Sequence, residues 1–132
     1  MSSLRKITGV CIIAFILAGC EKDDSVIPIG DDDDPISFMD DVLPILSQHG
    51  CVSCHGPSLS ENGLRVDAVS ELLMGGNSGA AIVPGNSGAS LLIQKMSANP
   101  PFGERMPLDR SPVPDAQQNI IRQWIDQGAQ GN

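Results

Sequence analysis

Tyrosine is absent from this 132-residue chain, and aromatic residues make up 3% of it. A part this short buries only a thin core, and beyond the N-terminal segment its only large rings are Phe38, Phe102 and Trp124. Basic residues are also few: 8 Lys and Arg stand against 16 Asp and Glu, a formal net charge of −8, which argues against nucleic acid as a partner. No apolar run is long enough to span a bilayer; the stretch from Ile7 to Leu17 is too short. Internal repeats and glycine-rich phosphate loops are missing as well. Histidine occurs only twice, at positions 49 and 55, which limits the metal chemistry the chain can support.

What is present begins with an export signal. Arg5 and Lys6 ahead of the apolar run form the charged and hydrophobic regions of a secretory signal. The run ends Leu17-Ala18-Gly19-Cys20, which resembles the lipobox of bacterial lipoproteins, where cleavage precedes the cysteine and that cysteine is acylated. Residues 1–19 are therefore expected to be a lipoprotein signal peptide, with Cys20 the lipidated residue. An ordinary signal peptide with an incidental cysteine is the alternative. At about 0.8 kcal/mol per buried methylene, several acyl chains make a lasting anchor. Residues 20–34, rich in aspartate, cannot bury enough surface to fold and read as an acidic tether. The consecutive aspartates Asp31 to Asp34 lack the alternating spacing and glycine turn of a calcium loop. The expected location is the bacterial cell envelope, lipid-anchored, on the periplasmic side of a membrane or on the outer surface. The acidic start after Cys20 resembles the export signal of some surface-displayed bacterial lipoproteins, which would place the chain on the outer face.

The chemistry is concentrated in Cys51-Val52-Ser53-Cys54-His55. Two thiols separated by two residues, with an imidazole beside the second, form the pattern of covalent haem attachment. Cys51 and Cys54 take up the porphyrin vinyl groups as thioethers, and His55 ligates the iron. A redox dithiol would sit in a βαβ context that the flanks do not supply. A tetrahedral zinc site needs a second pair of ligands, and His49 is the only spare candidate in the exported chain. Cysteine accounting agrees with the haem reading: Cys11 leaves with the signal, Cys20 carries lipid, and Cys51 and Cys54 carry haem, so no thiol is left over in an oxidising compartment. A single haem would also supply the large apolar object that the thin core lacks.

Residues 35–132 are expected to form one small helical domain. Apolar periodicity at Phe38, Val42, Ile45 and Leu46 predicts a first helix, capped by Ser37 with Asp40 in a capping-box-like arrangement and kinked at Pro44. His49 is expected at its solvent-facing end. Asp67 is expected to cap a short helix through Val69, Leu72 and Leu73, closed by Gly75-Gly76. Ala81-Ile82-Val83 is a candidate extended segment, and Ser87 is expected to cap a helix to about Ser97 with Leu91, Leu92 and Met96 on its apolar face. Five prolines between Asn99 and Pro114 make a stiff loop, and Met106 inside it is a neutral, soft thioether suited to the second axial position on the iron. Met39, Met74 and Met96 each fall in a helix. The last helix is expected from about Pro114 to Gln127, with Gly128 beyond its end and an apolar stripe of Ala116, Ile120, Ile121, Trp124 and Ile125.

Taken in order, Val42-x-Pro44-Ile45-Leu46, Cys51-x-x-Cys54-His55-Gly56, Gly63-Leu64-Arg65-Val66-Asp67, Ile82-Val83-Pro84-Gly85, Ser90-Leu91-Leu92, Arg105-Met106-Pro107 and Trp124-Ile125-x-x-Gly128-Ala129 resemble the planctomycete-type cytochrome c domain. The resemblance implies an all-α, class I cytochrome c-like fold in which the first and last helices cross beside one covalent haem c. It also implies Cys51 and Cys54 as attachment points and His55 and Met106 as axial ligands. The expected function is electron transfer to and from a redox partner protein at a membrane, by a carrier rather than an enzyme. A haem-based sensor or small-ligand-binding lipoprotein with an open or displaceable distal position is the alternative. Peroxidase-like activity is disfavoured because no well-placed distal histidine exists.

Overall fold

The computed structural model describes residues 34–132; the expected signal peptide, Cys20 and the tether up to Asp33 lie outside the described residues. The chain enters its first helix at Ser37, whose Oγ accepts the Asp40 N–H at 3.2 Å. The Ser37 N–H is taken by the Asp41 carboxylate at 2.8 Å, so the reciprocal half of the cap comes one residue later than expected. The shift has a cause in the winding. Phe38–Val42 is a π-helical turn in which the Leu43 N–H reaches back to the Phe38 carbonyl. Pro44, which has no N–H to donate, then sits in the first turn of α1 (Leu43–Gln48), and a change of winding stands where a simple kink was expected.

Four further α-helices follow: α2 (Cys51–Cys54), α3 (Val69–Met74), α4 (Leu91–Met96) and α5 (Asp115–Asp126). A 3₁₀ turn lies at Glu61–Gly63. Among the described residues there is no strand, only isolated bridges pairing His55 with Ser60 and Gly76 with Gly79, so the domain is all-α as expected. No described helix is long and apolar enough to cross a membrane.

The core joins the two ends of the domain. Phe38, Val42, Ile45 and Leu46 are buried together with Ile121, Trp124 and Ile125. The Phe38 and Trp124 rings lie 5.3 Å apart between centroids and are tilted by 37°, a favourable offset geometry for aromatic pairs. First and last helical segments therefore meet. The face that α5 buries is Gln118, Ile121, Trp124 and Ile125, so the expected stripe is corrected at its start: Ala116 is exposed and Ile120 only half-buried. Gln118 can occupy the interior because its Nε2 donates to the Val113 carbonyl at 2.8 Å and its Oε1 accepts from Arg122 at 3.2 Å. Beyond α5, the Gly128 N–H bonds the Ile125 carbonyl and the Ala129 N–H bonds the Trp124 carbonyl, both at 2.9 Å, a Schellman ending. The tail then returns to the first helix, where the Asn132 carbonyl accepts from Ser37 Oγ at 2.9 Å.

The middle of the chain departs from expectation in four places. Asp67 does not cap α3; Ala68 holds that position without a side-chain bond, because the Asp67 carboxylate is bound by Arg65. Helix α4 begins after Ser90 rather than Ser87, and its buried residues are Ile93 and Met96, with Leu91 and Leu92 half-buried. Ser87 instead donates its N–H and Oγ to the Asp126 carboxylate at 2.7 and 2.8 Å. Ala81 and Ile82 are buried but not in a strand: the Ala81 N–H bonds the Leu72 carbonyl and its carbonyl accepts from Leu92, which ties α3 to α4. Phe102, expected among the core rings, is 47% exposed.

Candidate functional site

Helix α2 is a single turn, and its two ends are the two cysteines. Residues three apart on a helix share a face, so Cys51 and Cys54 present their sulfurs from one side of the turn. Both are free thiols, Cys51 half-buried and Cys54 exposed. Burial pushes the Cys51 thiol above its ordinary range, and the positive charge of Arg110 opposes that shift.

His55 follows directly, and the backbone fixes it from both sides. Its N–H donates to the Cys51 carbonyl and its carbonyl accepts the Val66 N–H, each at 2.8 Å. Gly56 then turns the chain so tightly that a Cβ there would lie 2.3 Å from the Val52 carbonyl oxygen, so only glycine fits behind the histidine. The ring is not engaged in the same way: Nδ1 of His55 is buried and makes no hydrogen bond. Leaving such an atom unpaired costs about 1–3 kcal/mol.

The other histidine is already committed. His49 is half-buried rather than solvent-facing, and its Nε2 lies 2.6 Å from the Gln117 Oε1 of α5. Among the described residues no three His, Cys, Asp or Glu side chains come together as a metal site, which leaves the zinc reading of the motif without a ligand set.

Met106 is half-buried in the proline-rich loop between α4 and α5, its N–H bonded to the Lys95 carbonyl at 2.7 Å. The remaining described methionines are accounted for otherwise: Met39 and Met74 are 56% and 68% exposed, and Met96 is in the core at 4%. The loop that carries Met106 also touches the cysteine motif. The guanidinium carbon of Arg110 lies 2.8 Å from the position a Cβ would take on Gly50, the residue before Cys51. Sequence reasoning missed Lys95 and Arg110, since neither has a local pattern that announces which loop it will hold.

Two free thiols on one face of a turn and an imidazole with a buried, uncommitted nitrogen fit a covalently held haem, with the cysteines as tethers and His55 as an iron ligand. Residues 51–107 match the family model described as Planctomycete cytochrome C, from the first thiol of the motif to the residue after Met106. No curated protein and no solved structure matches the chain.

Proposed function

We propose that this chain, which carries a planctomycete-type cytochrome c domain, is a membrane-anchored monohaem electron carrier. When bound, haem c supplies a one-electron ferric/ferrous couple. Cys51 and Cys54 would hold it as thioethers, and His55 and Met106 would be the ligands of its iron. The observation that carries this reading is the pair of free thiols at the two ends of the single turn α2 with His55 directly after them, at the start of the stretch that matches the Planctomycete cytochrome C model. For Met106 the support is its half-buried place in a loop whose backbone is tied to α4. A neutral thioether ligand and apolar surroundings both favour the reduced state of the iron.

The chain acts as a carrier and not as an enzyme. Peroxide chemistry needs a polar group over an open iron, and His49 is tied to Gln117. Cys20, acylated, and residues 20–34, as tether, hold the domain at a bacterial membrane surface where it meets a redox partner protein.

Spectra of the protein produced with cytochrome c maturation machinery test the ligand set. The wild type is expected to be six-coordinate and low-spin, and Met106→Ala to lose that state. A spectrum unchanged by Met106→Ala contradicts the assignment, and a five-coordinate wild type favours a sensor that binds a small ligand at an open iron.

A further inference from the structure

We propose that Lys95 is the positioning residue for Met106, clamping the proline-rich loop in the shape from which the thioether binds iron. This rests on the reading of Met106 as an axial ligand. Lys95 is half-buried in the last turn of α4 and grips the loop at three alternate residues. Its carbonyl accepts the Met106 N–H at 2.7 Å. Its ammonium donates to the carbonyls of Phe102 and Glu104, both at 2.6 Å. The Phe102 ring adds a cation–π contact, with Nζ 4.8 Å from the ring centroid.

The local backbone is bent to suit this cation. Gly103 has a φ of +57°, a left-handed conformation, between the two residues whose carbonyls meet on the ammonium. Such a loop needs an external donor: Pro100, Pro101 and Pro107 have no N–H, so the segment is poor in the donors from which a loop builds its own hydrogen bonds. A charged donor to two carbonyls is a strong substitute. The other paired cations of the domain bind side chains, Arg65 to Asp67 and Glu71 and Arg122 to Gln118, whereas Lys95 is spent on the backbone next to Met106.

The test uses the haem-loaded protein carrying Lys95→Met, which keeps the aliphatic stem and removes the ammonium, with Lys95→Arg as the conservative variant. Three readouts apply: the far-red sulfur-to-iron charge-transfer band of the ferric form, the rate of carbon monoxide binding to the ferrous form, and hydrogen exchange across residues 102–106. Lys95→Met is expected to weaken the band, to bind carbon monoxide about tenfold faster, equivalent to about 1.4 kcal/mol lost from the methionine-bound state, and to speed exchange, with helicity unchanged. Lys95→Arg should recover most of the band, and Lys95→Met added to Met106→Ala should change nothing further. If Met106→Ala opens the iron while Lys95→Met leaves band and rate as in the wild type, the clamp is wrong and the ligand right. If Met106→Ala itself has no effect, the ligand assignment falls and the clamp with it. Should Lys95→Met fail to accumulate, Lys95→Gln is read in its place: a weakened band and faster carbon monoxide binding support the clamp, and wild-type values of both overturn it.

Discussion

The residue that most needs an explanation beyond folding is His55, since its backbone is fully paired while its buried Nδ1 is not. A half-buried imidazole whose backbone is pinned and whose ring is not held by the protein suits the iron ligation proposed for it. Arg65 makes the contrasting case of a polar residue explained by its own surroundings. Its guanidinium meets Asp67 at 2.7 Å and Glu71 at 3.0 Å, so it belongs to an ion-pair cluster that braces the approach to α3 and not to free solvent. The Arg65 guanidinium holds the Asp67 carboxyl below its ordinary value of 3.8. A depressed carboxyl stabilises the fold above that value, and the contribution is lost as pH falls through the lowered one. Asp67→Asn is therefore expected to melt at a lower temperature than the wild type at neutral pH, with the gap closing below pH 3.8. Thermal melts of both proteins across that range check it, and a gap that widens in acid contradicts the pairing.

Among the elements, α5 matters most for stability, because Trp124 is fully buried against Phe38 and joins the ends of the domain. Trp124→Ala should cost about 3–5 kcal/mol in denaturant unfolding of the haem-loaded protein. A loss below 1 kcal/mol, on the order of a surface change, would place the core elsewhere. Helix α5 was also the most legible element. Pro114 before it and Gly128 after it are local punctuation, and the helix runs Asp115–Asp126 between them. Helix α4 starts after Ser90 and not after Ser87 because the two serines, alike in sequence, differ in their distant partners. Ser90 Oγ accepts the Val83 N–H and donates to the Asn86 carbonyl, while Ser87 is drawn to Asp126. Asp67 was lost as a cap for the same reason, since a neighbouring arginine outcompeted the helix for its carboxylate. The π-helical turn at Phe38–Val42 has no sequence pattern of its own, since Phe38 and Val42 share a buried face in either winding.

For the chain as a whole, the proposal joins a lipid anchor at Cys20 to a domain that would hold haem. The anchor predicts that Cys20→Ser releases the protein from the membrane fraction into the soluble one, and retention of the variant would point to another mode of attachment. The haem motif could be read from five consecutive residues because its chemistry is local, whereas the link between Lys95 and Met106 exists only once the loop between them has folded. The phenylalanine counted as core, Phe102, is at the surface over the Lys95 ammonium for that same reason. The proposed function stands on Cys51 and Cys54 carrying one haem covalently. Acid–acetone extraction of the purified protein, followed by mass measurement of the peptide containing residues 51–55, tests it most directly. One haem is expected to stay on that peptide with both thiols consumed; a peptide with two free thiols, its haem extracted or never present, would rule covalent attachment out.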